Sequence, residues 1–224
     1  MPRLLAYRIV TDLGAAPHIL NGYLTLTICK PMIRKGAKVG DYVLALVAQS
    51  NPNIPKVEKI PKVEDKYFLV AYLFKITDVI RMEDYEEWCK THSPGKICTD
   101  EMLEGDCQYG PNLKWRPGPH YSTDPAERDE LIRVNLSGVN SIVSNYYAAW
   151  QSREPHVLTD EEIAGLGLTR EDLKGVKRGH RCFDLPDTTM ADKLIDEWVR
   201  KESRGNGRNA KSKRACRTRK KSKN

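Results

Sequence analysis

Long hydrophobic runs are absent from these 224 residues, and that absence excludes several classes of protein. No apolar stretch approaches the ~20 residues that a transmembrane helix needs, and the apolar run near the N-terminus lacks a signal-peptide cleavage site. A P-loop, a dinucleotide-binding glycine fingerprint and a serine–histidine–aspartate order are also missing. We therefore expect a soluble, intracellular protein with no membrane partner and no cofactor.

Acidic residues are almost absent from the C-terminal end of the chain. Residues 200–224 contain twelve Lys or Arg and a single acid, Glu202, which gives this segment a charge of +11. The other 199 residues hold 25 basic and 29 acidic side chains, so the body carries −4 although the whole chain carries +7. Apolar residues also become rare, and such a segment cannot bury enough surface to fold. The sequence predicts one domain over residues 1–200 and a disordered tail over residues 201–224.

The tail favours contact with a polyanion. Lys and Arg that neutralise phosphates release counterions, but phosphate contacts position a protein without reading bases. Dense basic clusters also suit a nuclear import signal, and the alternative is a solvated tail with no dedicated role. The cations expected to contact nucleic acid are Lys211, Lys213, Arg214, Arg217, Arg219, Lys220 and Lys221.

Disulfides are not expected, because an intracellular protein keeps its six cysteines as thiols. Cys89, His92, Cys98 and Cys107 lie within nineteen residues and could form a Cys₃His zinc site. The last two cysteines are too far apart in sequence for a standard zinc-knuckle pair. We therefore expect mobile or half-buried thiols here and no metal.

Hydrophobic periodicity indicates a mixed α and β chain. Strands are predicted at residues 4–10, 24–29, 38–47, 66–76, 131–134 and 141–147, and the alternation in 24–29 is typical of a half-buried strand. Helices are predicted at residues 82–89, after capping boxes that begin at Thr159 and Thr169, and at residues 189–200. Residues 49–65 contain three prolines, which predicts an exposed excursion between two strands. Residues 91–123 show little periodicity, which is typical of a functional loop.

Two segments of the body carry candidate binding residues. Residues 30–38 read as an ordered basic loop that could clamp phosphates, with a solvated turn as the alternative. Residues 109–116 place aromatic rings beside cations, as stacking on an unpaired base requires, although the same residues could pack against the domain. The candidates are Lys30, Arg34, Lys35 and Lys38 in the first segment, and Tyr109, Asn112, Lys114, Trp115 and Arg116 in the second.

The chain resembles the nucleotide-modification-associated domain 2 family. The resemblance rests on Asp12-Leu13-Gly14, Ala16-Pro17, Cys29-Lys30-Pro31 with Ile33-Arg34, and Gly40-Asp41, and it resumes at Tyr109-Gly110, Ser137-Gly138 and Tyr146-Tyr147. It implies a domain of phages, bacteria and large viruses that is associated with DNA-base modification, and hence DNA as a more probable partner than RNA. Pro111 and Val139-Asn140 replace polar residues of the family pattern, which favours binding over chemistry. The basic tail is not part of that pattern.

A second resemblance is to PUA-like barrels, which include the ASCH, EVE and YTH domains. It is carried by Val39-Gly40-Asp41-Tyr42-Val43 and by residues 68–79. Several of those barrels bind nucleic acid or a flipped modified base. The resemblance implies an α+β fold with a small PUA-like β-barrel and flanking helices.

The leading hypothesis is a nucleic-acid-binding protein associated with modified nucleotides, located in the nucleus or in a viral nucleoprotein if the host is eukaryotic. One rival is a base- or nucleotide-modifying enzyme that uses Asp12, Cys29 and Asp41 at one mouth of the barrel. The other rival is a DNA-condensing or virion structural protein. The sequence leaves the base, the modification and the oligomeric state open.

Overall fold

The computed structural model describes residues 1–10, 12, 14–48, 68–99, 103–118, 124–152, 154–177 and 179–205. The strands are β1 Arg3–Ile9, β2 His18–Leu20, β3 Tyr23–Leu26, β4 Tyr42–Val47, β5 Leu69–Lys75, β6 Asp78–Arg81, β7 Asn140–Ser144, β8 Tyr146–Ala149, β9 His156–Val157 and β10 His180–Asp184. The helices are α1 Pro31–Gly36, α2 Tyr85–His92, α3 Pro125–Leu136, α4 Asp160–Gly165, α5 Arg170–Lys174 and α6 Thr189–Gly205. None of the helices in these ranges is long and apolar enough to cross a membrane.

The strands form two sheets. The larger sheet has the order β10-β1-β4-β5-β8 with β9 also paired to β5, and the smaller has the order β2-β3-β7-β6. β1 and β4 are parallel, whereas the other pairs are antiparallel. The α+β class is therefore confirmed. The predicted barrel is not closed among the described strands. The edge strand β10 of the large sheet and the edge strand β2 of the small sheet do not pair with each other.

A two-stranded ribbon connects the sheets. The chain leaves β5 in the large sheet and continues as β6 in the small one, while β7 in the small sheet continues as β8 in the large one. Thr77 donates its backbone N–H to the Val143 carbonyl at 2.9 Å, and its hydroxyl accepts the Asn145 N–H at 3.3 Å. The predicted strand at residues 141–147 is therefore two strands separated by a bend at Asn145.

Apolar side chains fill both faces of the large sheet. One face packs against the small sheet through a cluster that includes Val43, Phe74, Leu26 and Ile142. The opposite face packs under α4, α5 and α6 through residues such as Leu44 and Leu73, which explains why every residue of β4 is buried.

The small sheet is also covered on both faces. Its outer face lies under α2 and the residues around Ile97 and Cys107, with Tyr85 and Cys107 packed against Val143. Thr25 and Thr27, expected on a solvent face, are therefore buried. The predicted strand is present over Tyr23–Leu26, but the expectation that it is half-buried is wrong for this reason.

The predicted strand at residues 131–134 is also wrong, because those residues belong to α3. Asp124 caps this helix by accepting the N–H groups of Ala126 and Glu127, and Pro125 occupies its first turn. A run of four residues is too short for periodicity to distinguish a strand from part of a helix.

The helix-capping predictions are confirmed. Thr159 and Glu162 form a capping box at α4, and Thr169 and Asp172 form one at α5. The last helix begins at Thr189 as predicted but extends to Gly205, beyond the expected tail boundary. The excursion at residues 49–65 and tail residues 206–224 lie outside the described residues.

Candidate functional site

The chain turns sharply between β3 and α1, at Cys29 and Lys30. Both residues have left-handed backbone conformations, with φ of 59° at Cys29 and 45° at Lys30. Non-glycine residues adopt this conformation at a cost, and such strain concentrates at functional sites. The Cys29 N–H donates to the Asn135 side-chain oxygen at 2.8 Å, which fixes this turn to α3.

Arg34 holds the same turn from inside the protein. Its Nε donates to the Cys29 carbonyl at 2.8 Å, Nη1 donates to the Asn140 carbonyl at 2.8 Å, and Nη2 donates to the Asn135 carbonyl. The side chain is fully buried, and burial lowers the pKa of Arg34 to about 10. A Cβ on Gly138 would lie 2.4 Å from the guanidinium carbon, so a larger residue there would displace the guanidinium. In this structure Arg34 positions backbone and faces no solvent.

The other cations of residues 30–38 do not converge on one surface. The predicted basic loop is largely the short helix α1, which corrects the sequence interpretation. The Lys30 ammonium donates to the Arg8 carbonyl at 3.2 Å, at one end of β1, whereas Arg3 donates to the Gly36 carbonyl at 2.7 Å, at the other end. These contacts are five strand residues apart, or roughly 17 Å. The exposed Lys35 and Lys38 lie toward the second end.

Buried tyrosines and one carboxylate lie below Lys30. Its ammonium is 4.8 Å from the centroid of the Tyr7 ring. The Tyr72 hydroxyl donates to the Asp12 carboxylate at 3.1 Å, and the Ser152 N–H donates to the same carboxylate at 3.0 Å. The Tyr7 hydroxyl is fully buried and has no hydrogen-bond partner among the described residues.

We call this site the Cys29–Lys30 corner and define it by Tyr7, Asp12, Cys29, Lys30 and Tyr72. Burial raises the pKa of Tyr7 well above its ordinary value, and the neighbouring Tyr72, Asp12 and Cys29 raise it further. Burial likewise lowers the pKa of Lys30. The corner therefore presents phenol donors, a carboxylate acceptor and a partly desolvated amine in a region of low dielectric.

Two of the three residues of the enzyme hypothesis meet at this corner. Asp12 and Cys29 both act electrostatically on Tyr7. Burial raises the pKa of the Cys29 thiol, which opposes formation of the thiolate that a nucleophile needs. Asp41 lies at the opposite end of β1, where it pairs with Arg3 and accepts the Lys38 N–H at 3.0 Å.

The second predicted segment, residues 109–116, forms a small hairpin around a 3₁₀ turn at Pro111–Leu113. Tyr109 is buried and close enough to Arg34 for that guanidinium to affect its pKa, although burial raises the pKa overall. Trp115 is half-buried with Arg128 5.7 Å from its ring centroid, and Arg116 pairs with Glu86 at 2.6 Å. Asn112 and Lys114 are exposed. Contact of any of these residues with nucleic acid stays a prediction.

A buried charge network lies on the outer face of the small sheet. Asp106 accepts the hydroxyls of Thr25 at 2.6 Å and Tyr85 at 3.0 Å. The Lys96 ammonium donates to the Thr25 hydroxyl at 2.8 Å and lies 3.2 Å from Nδ1 of His18. Burial alone would raise the pKa of Asp106, but Lys96 and His18 outweigh it and hold that pKa below its ordinary value. The network satisfies its own charges.

Five of the six cysteines lie among the described residues, and no disulfide joins them there. Cys89 and Cys107 are buried together, whereas His92 is exposed and its ring stacks on Trp88 with the centroids 4.8 Å apart. Within the part of the chain that the structure describes, no group of three potential ligands is arranged to hold a metal ion.

Sequence reasoning missed several of these residues. Tyr7 is an ordinary strand residue in the pattern of β1, and only the fold places Lys30 over its ring. Lys96 and Asp106 lie in the irregular segment, where no periodicity indicates burial. The glycine at position 105 could have indicated a close approach of two backbone segments. In the structure a Cβ at Gly105 would lie 2.1 Å from the Lys96 carbonyl oxygen.

The chain matches the description "nucleotide modification associated domain 2" over residues 1–214, nearly its whole length, and therefore belongs to that family. The match includes residues 201–214 of the predicted tail, so the expectation that the tail is not part of the family pattern is wrong for those residues. Neither a curated protein nor a solved structure matches the chain.

Proposed function

We propose that this member of the nucleotide modification associated domain 2 family is a nucleic-acid-binding protein that recognises a modified base at the Cys29–Lys30 corner, in DNA in preference to RNA. The observation that carries the proposal is the buried Tyr7 hydroxyl, which lacks a partner among the described residues. Leaving such a group unpaired costs about 1–3 kcal/mol, so a bound ligand that pairs with it recovers that energy.

The chemistry of the corner supports a base as the ligand. The edge of a nucleobase carries both donors and acceptors, and the corner offers the unpaired Tyr7 hydroxyl near the Asp12 carboxylate, which accepts the Tyr72 hydroxyl. Extruding a base from a duplex costs a few kcal/mol, and hydrogen bonds in a closed pocket can offset that. The raised pKa of the Cys29 thiol favours binding over a reaction that uses a thiolate.

The test of the corner is a binding panel with the full chain. Fluorescence anisotropy at one fixed salt concentration would compare oligonucleotides that carry modified or unmodified bases, as duplex DNA, single-stranded DNA and RNA. We expect a preference of about tenfold, or 1.4 kcal/mol, for one modification, and Tyr7→Phe should remove that preference while keeping general affinity. Equal affinity of the unaltered protein for all bases would refute the proposal.

Tyr146→Phe is the matched control. Unlike that of Tyr7, the Tyr146 hydroxyl has a partner, the Asp196 carboxylate at 2.8 Å, and it lies against α6 and away from the corner. This variant should keep the preference. Loss of the preference in both variants would mean that tyrosine hydroxyls act through general stability.

The basic tail would add affinity without selectivity, and its clusters also suit nuclear import in a eukaryotic host. Replacing Lys211, Lys213, Arg214, Arg217, Arg219, Lys220 and Lys221 by Gln in the full chain tests this role. Binding should weaken equally for all sequences, and the slope of log K against log salt should become shallower because fewer counterions are released. A changed preference among bases would contradict the assignment of selectivity to the body.

A further inference from the structure

The hairpin of residues 108–116 gathers polar side chains on one of its faces. The Arg116 N–H donates to the Gln108 carbonyl at 2.7 Å, the Gly110 N–H donates to the Lys114 carbonyl at 2.8 Å, and Tyr109 pairs with Trp115. Residues directly opposite each other in an antiparallel pair share a face. Gln108 and Arg116 are therefore neighbours on one face, and Tyr109 and Trp115 lie on the other.

Gly110 allows Arg116 to lie flat along this face. A Cβ at Gly110 would lie 2.4 Å from Nη2 of Arg116, so the guanidinium passes directly over the glycine. Nη2 is paired with the Glu86 carboxylate at 2.6 Å. One edge of the guanidinium is thus fixed by an ion pair.

The rest of the face holds two buried donors that lack acceptors. Nη1 of Arg116 and Nε2 of Gln108 are both buried, and neither has a hydrogen-bond partner among the described residues. Gln108 is only 1% exposed. Each unpaired buried donor costs about 1–3 kcal/mol, and more where the group is charged. Both donors, on neighbouring side chains, lack the same kind of hydrogen-bond partner, an acceptor oxygen.

We propose that Gln108 and Arg116 form an anion site that binds a phosphate group through Nε2 and Nη1. A guanidinium offers a planar set of donors that matches phosphate oxygens, and the amide adds a neutral donor on the same side. The exposed Lys114 lies on the same hairpin face and adds positive charge at its end. Phosphate binding at this site requires no modified base, so it can be tested independently of base recognition at the Cys29–Lys30 corner.

The experiment measures binding of inorganic phosphate and of a deoxynucleoside monophosphate to the full chain by isothermal titration calorimetry, at constant ionic strength. The matching nucleoside and chloride serve as ligands without a phosphate. We expect both phosphate compounds to bind and the nucleoside and chloride to give no signal. Absence of phosphate binding by the unaltered protein overturns the proposal.

Gln108→Glu is the sharpest variant, because it nearly preserves shape and places a carboxylate beside Arg116. That carboxylate should accept from Nη1 itself, so phosphate affinity should fall at least tenfold while the thermal midpoint of the ligand-free protein rises. Arg116→Lys keeps the charge but removes Nη1, and it should also lower the affinity at least tenfold. If either folded variant binds phosphate as the unaltered protein does, the site is wrongly assigned.

Arg133→Gln is the matched control, since Arg133 is an exposed arginine paired with Glu130 at 2.6 Å on α3. Its phosphate affinity should stay within twofold, and an equal loss there would mean that only general charge matters. Competition distinguishes the source of the phosphate. A free nucleotide is the ligand if the monophosphate binds but neither Gln108→Glu nor Arg116→Lys alters the affinity for duplex DNA. The nucleic-acid backbone is the ligand if both variants reduce the salt slope of duplex binding by about one.

Discussion

The sequence predicts that Arg34 and Arg116 both contact nucleic acid, yet their surroundings in the fold differ. Arg34 donates from all three guanidinium nitrogens to oxygen atoms of Cys29, Asn135 and Asn140. Arg116 is paired with Glu86 through Nη2 and keeps a buried Nη1 without a partner among the described residues. The role of a cation in this protein is therefore decided by which of its donors the fold has already used.

The two arginines also differ in what surrounds the charge. The guanidinium of Arg34 is held by neutral carbonyls, and its burial lowers its pKa to about 10, so it remains charged at pH 7. Arg116 is about one quarter exposed and faces a carboxylate. We expect changes at Arg34 to act on stability and changes at Arg116 to act on binding.

The largest expected effect is that of Arg34→Met. Removing the guanidinium takes a donor from the carbonyls of Cys29, Asn135 and Asn140 and frees the strained Cys29–Lys30 turn, so the free energy of unfolding should fall by about 4 kcal/mol. Urea denaturation measures the loss. Gly138→Ala should weaken the same contact by displacing the guanidinium, and the two losses should be less than additive. A loss below about 1 kcal/mol in Arg34→Met would mean that the turn is held by other contacts.

Asp106→Asn tests whether the second closed network behaves like that of Arg34. The variant removes the carboxylate that offsets the buried Lys96 charge across the Thr25 hydroxyl, and leaving a buried charge uncompensated in this way costs about 3–5 kcal/mol near pH 7. Because the folded pKa of Asp106 lies below its ordinary value, its contribution is present above pH ~4 and is lost as the pH falls through the folded value. Urea denaturation between pH 2 and 7 should show the two proteins converging in acid.

The exposed carboxylate of Asp129 provides the control for that series. Asp129 lies 3.7 Å from the Arg128 guanidinium at the surface. Asp129→Asn should change the free energy of unfolding by less than about 0.5 kcal/mol at pH 7. A difference between Asp106→Asn and the unaltered protein that persists unchanged at pH 2 would contradict the ion-pair explanation.

Arg116→Met should have a much smaller effect on stability than Arg34→Met. The ion pair with Glu86 is partly exposed, and pairs of that kind contribute about 0.2–1 kcal/mol. The measurement is urea denaturation in a buffer without phosphate. A loss as large as that of Arg34→Met would remove the distinction between the two arginines.

The smallest expected effect is that of Tyr7→Phe. Its hydroxyl has no partner among the described residues, so its removal should leave stability unchanged or raise it by up to about 1 kcal/mol. Tyr42→Phe is the contrasting variant, because the Tyr42 hydroxyl donates to Asp192 at 2.6 Å and its loss should cost about 1 kcal/mol. Thermal unfolding compares the two, and a larger loss for Tyr7→Phe than for Tyr42→Phe would reverse the interpretation.

The sequence was a good guide to local structure where a local signal existed. The capping boxes at Thr159 and Thr169 predicted α4 and α5, because their hydrogen bonds lie within four residues. The apolar stretches of β1, β4 and β5 were equally clear. The strands β2, β6, β9 and β10 were missed, since they are short or polar and depend on partners far along the chain.

The candidate site was less predictable because its geometry is not local. The resemblance at Cys29-Lys30-Pro31 and Arg34 indicated the turn at which the candidate site lies, but the sequence could not indicate that Arg34 points inward toward Asn135 and Asn140, more than 100 residues later. The composition of residues 30–38 predicts that its four cations bind phosphate at one surface. The fold instead separates them toward opposite ends of β1.

The ribbon that passes through Thr77 and Asn145 also determines how this protein should open. Both of its strands pass from one sheet to the other side by side, so the sheets cannot separate unless hydrogen bonds break in both at once. The amide hydrogens of β5, β7 and β8 should therefore exchange with solvent at one common, slow rate, as a single cooperative unit, while those of the edge strands β2 and β10 exchange sooner.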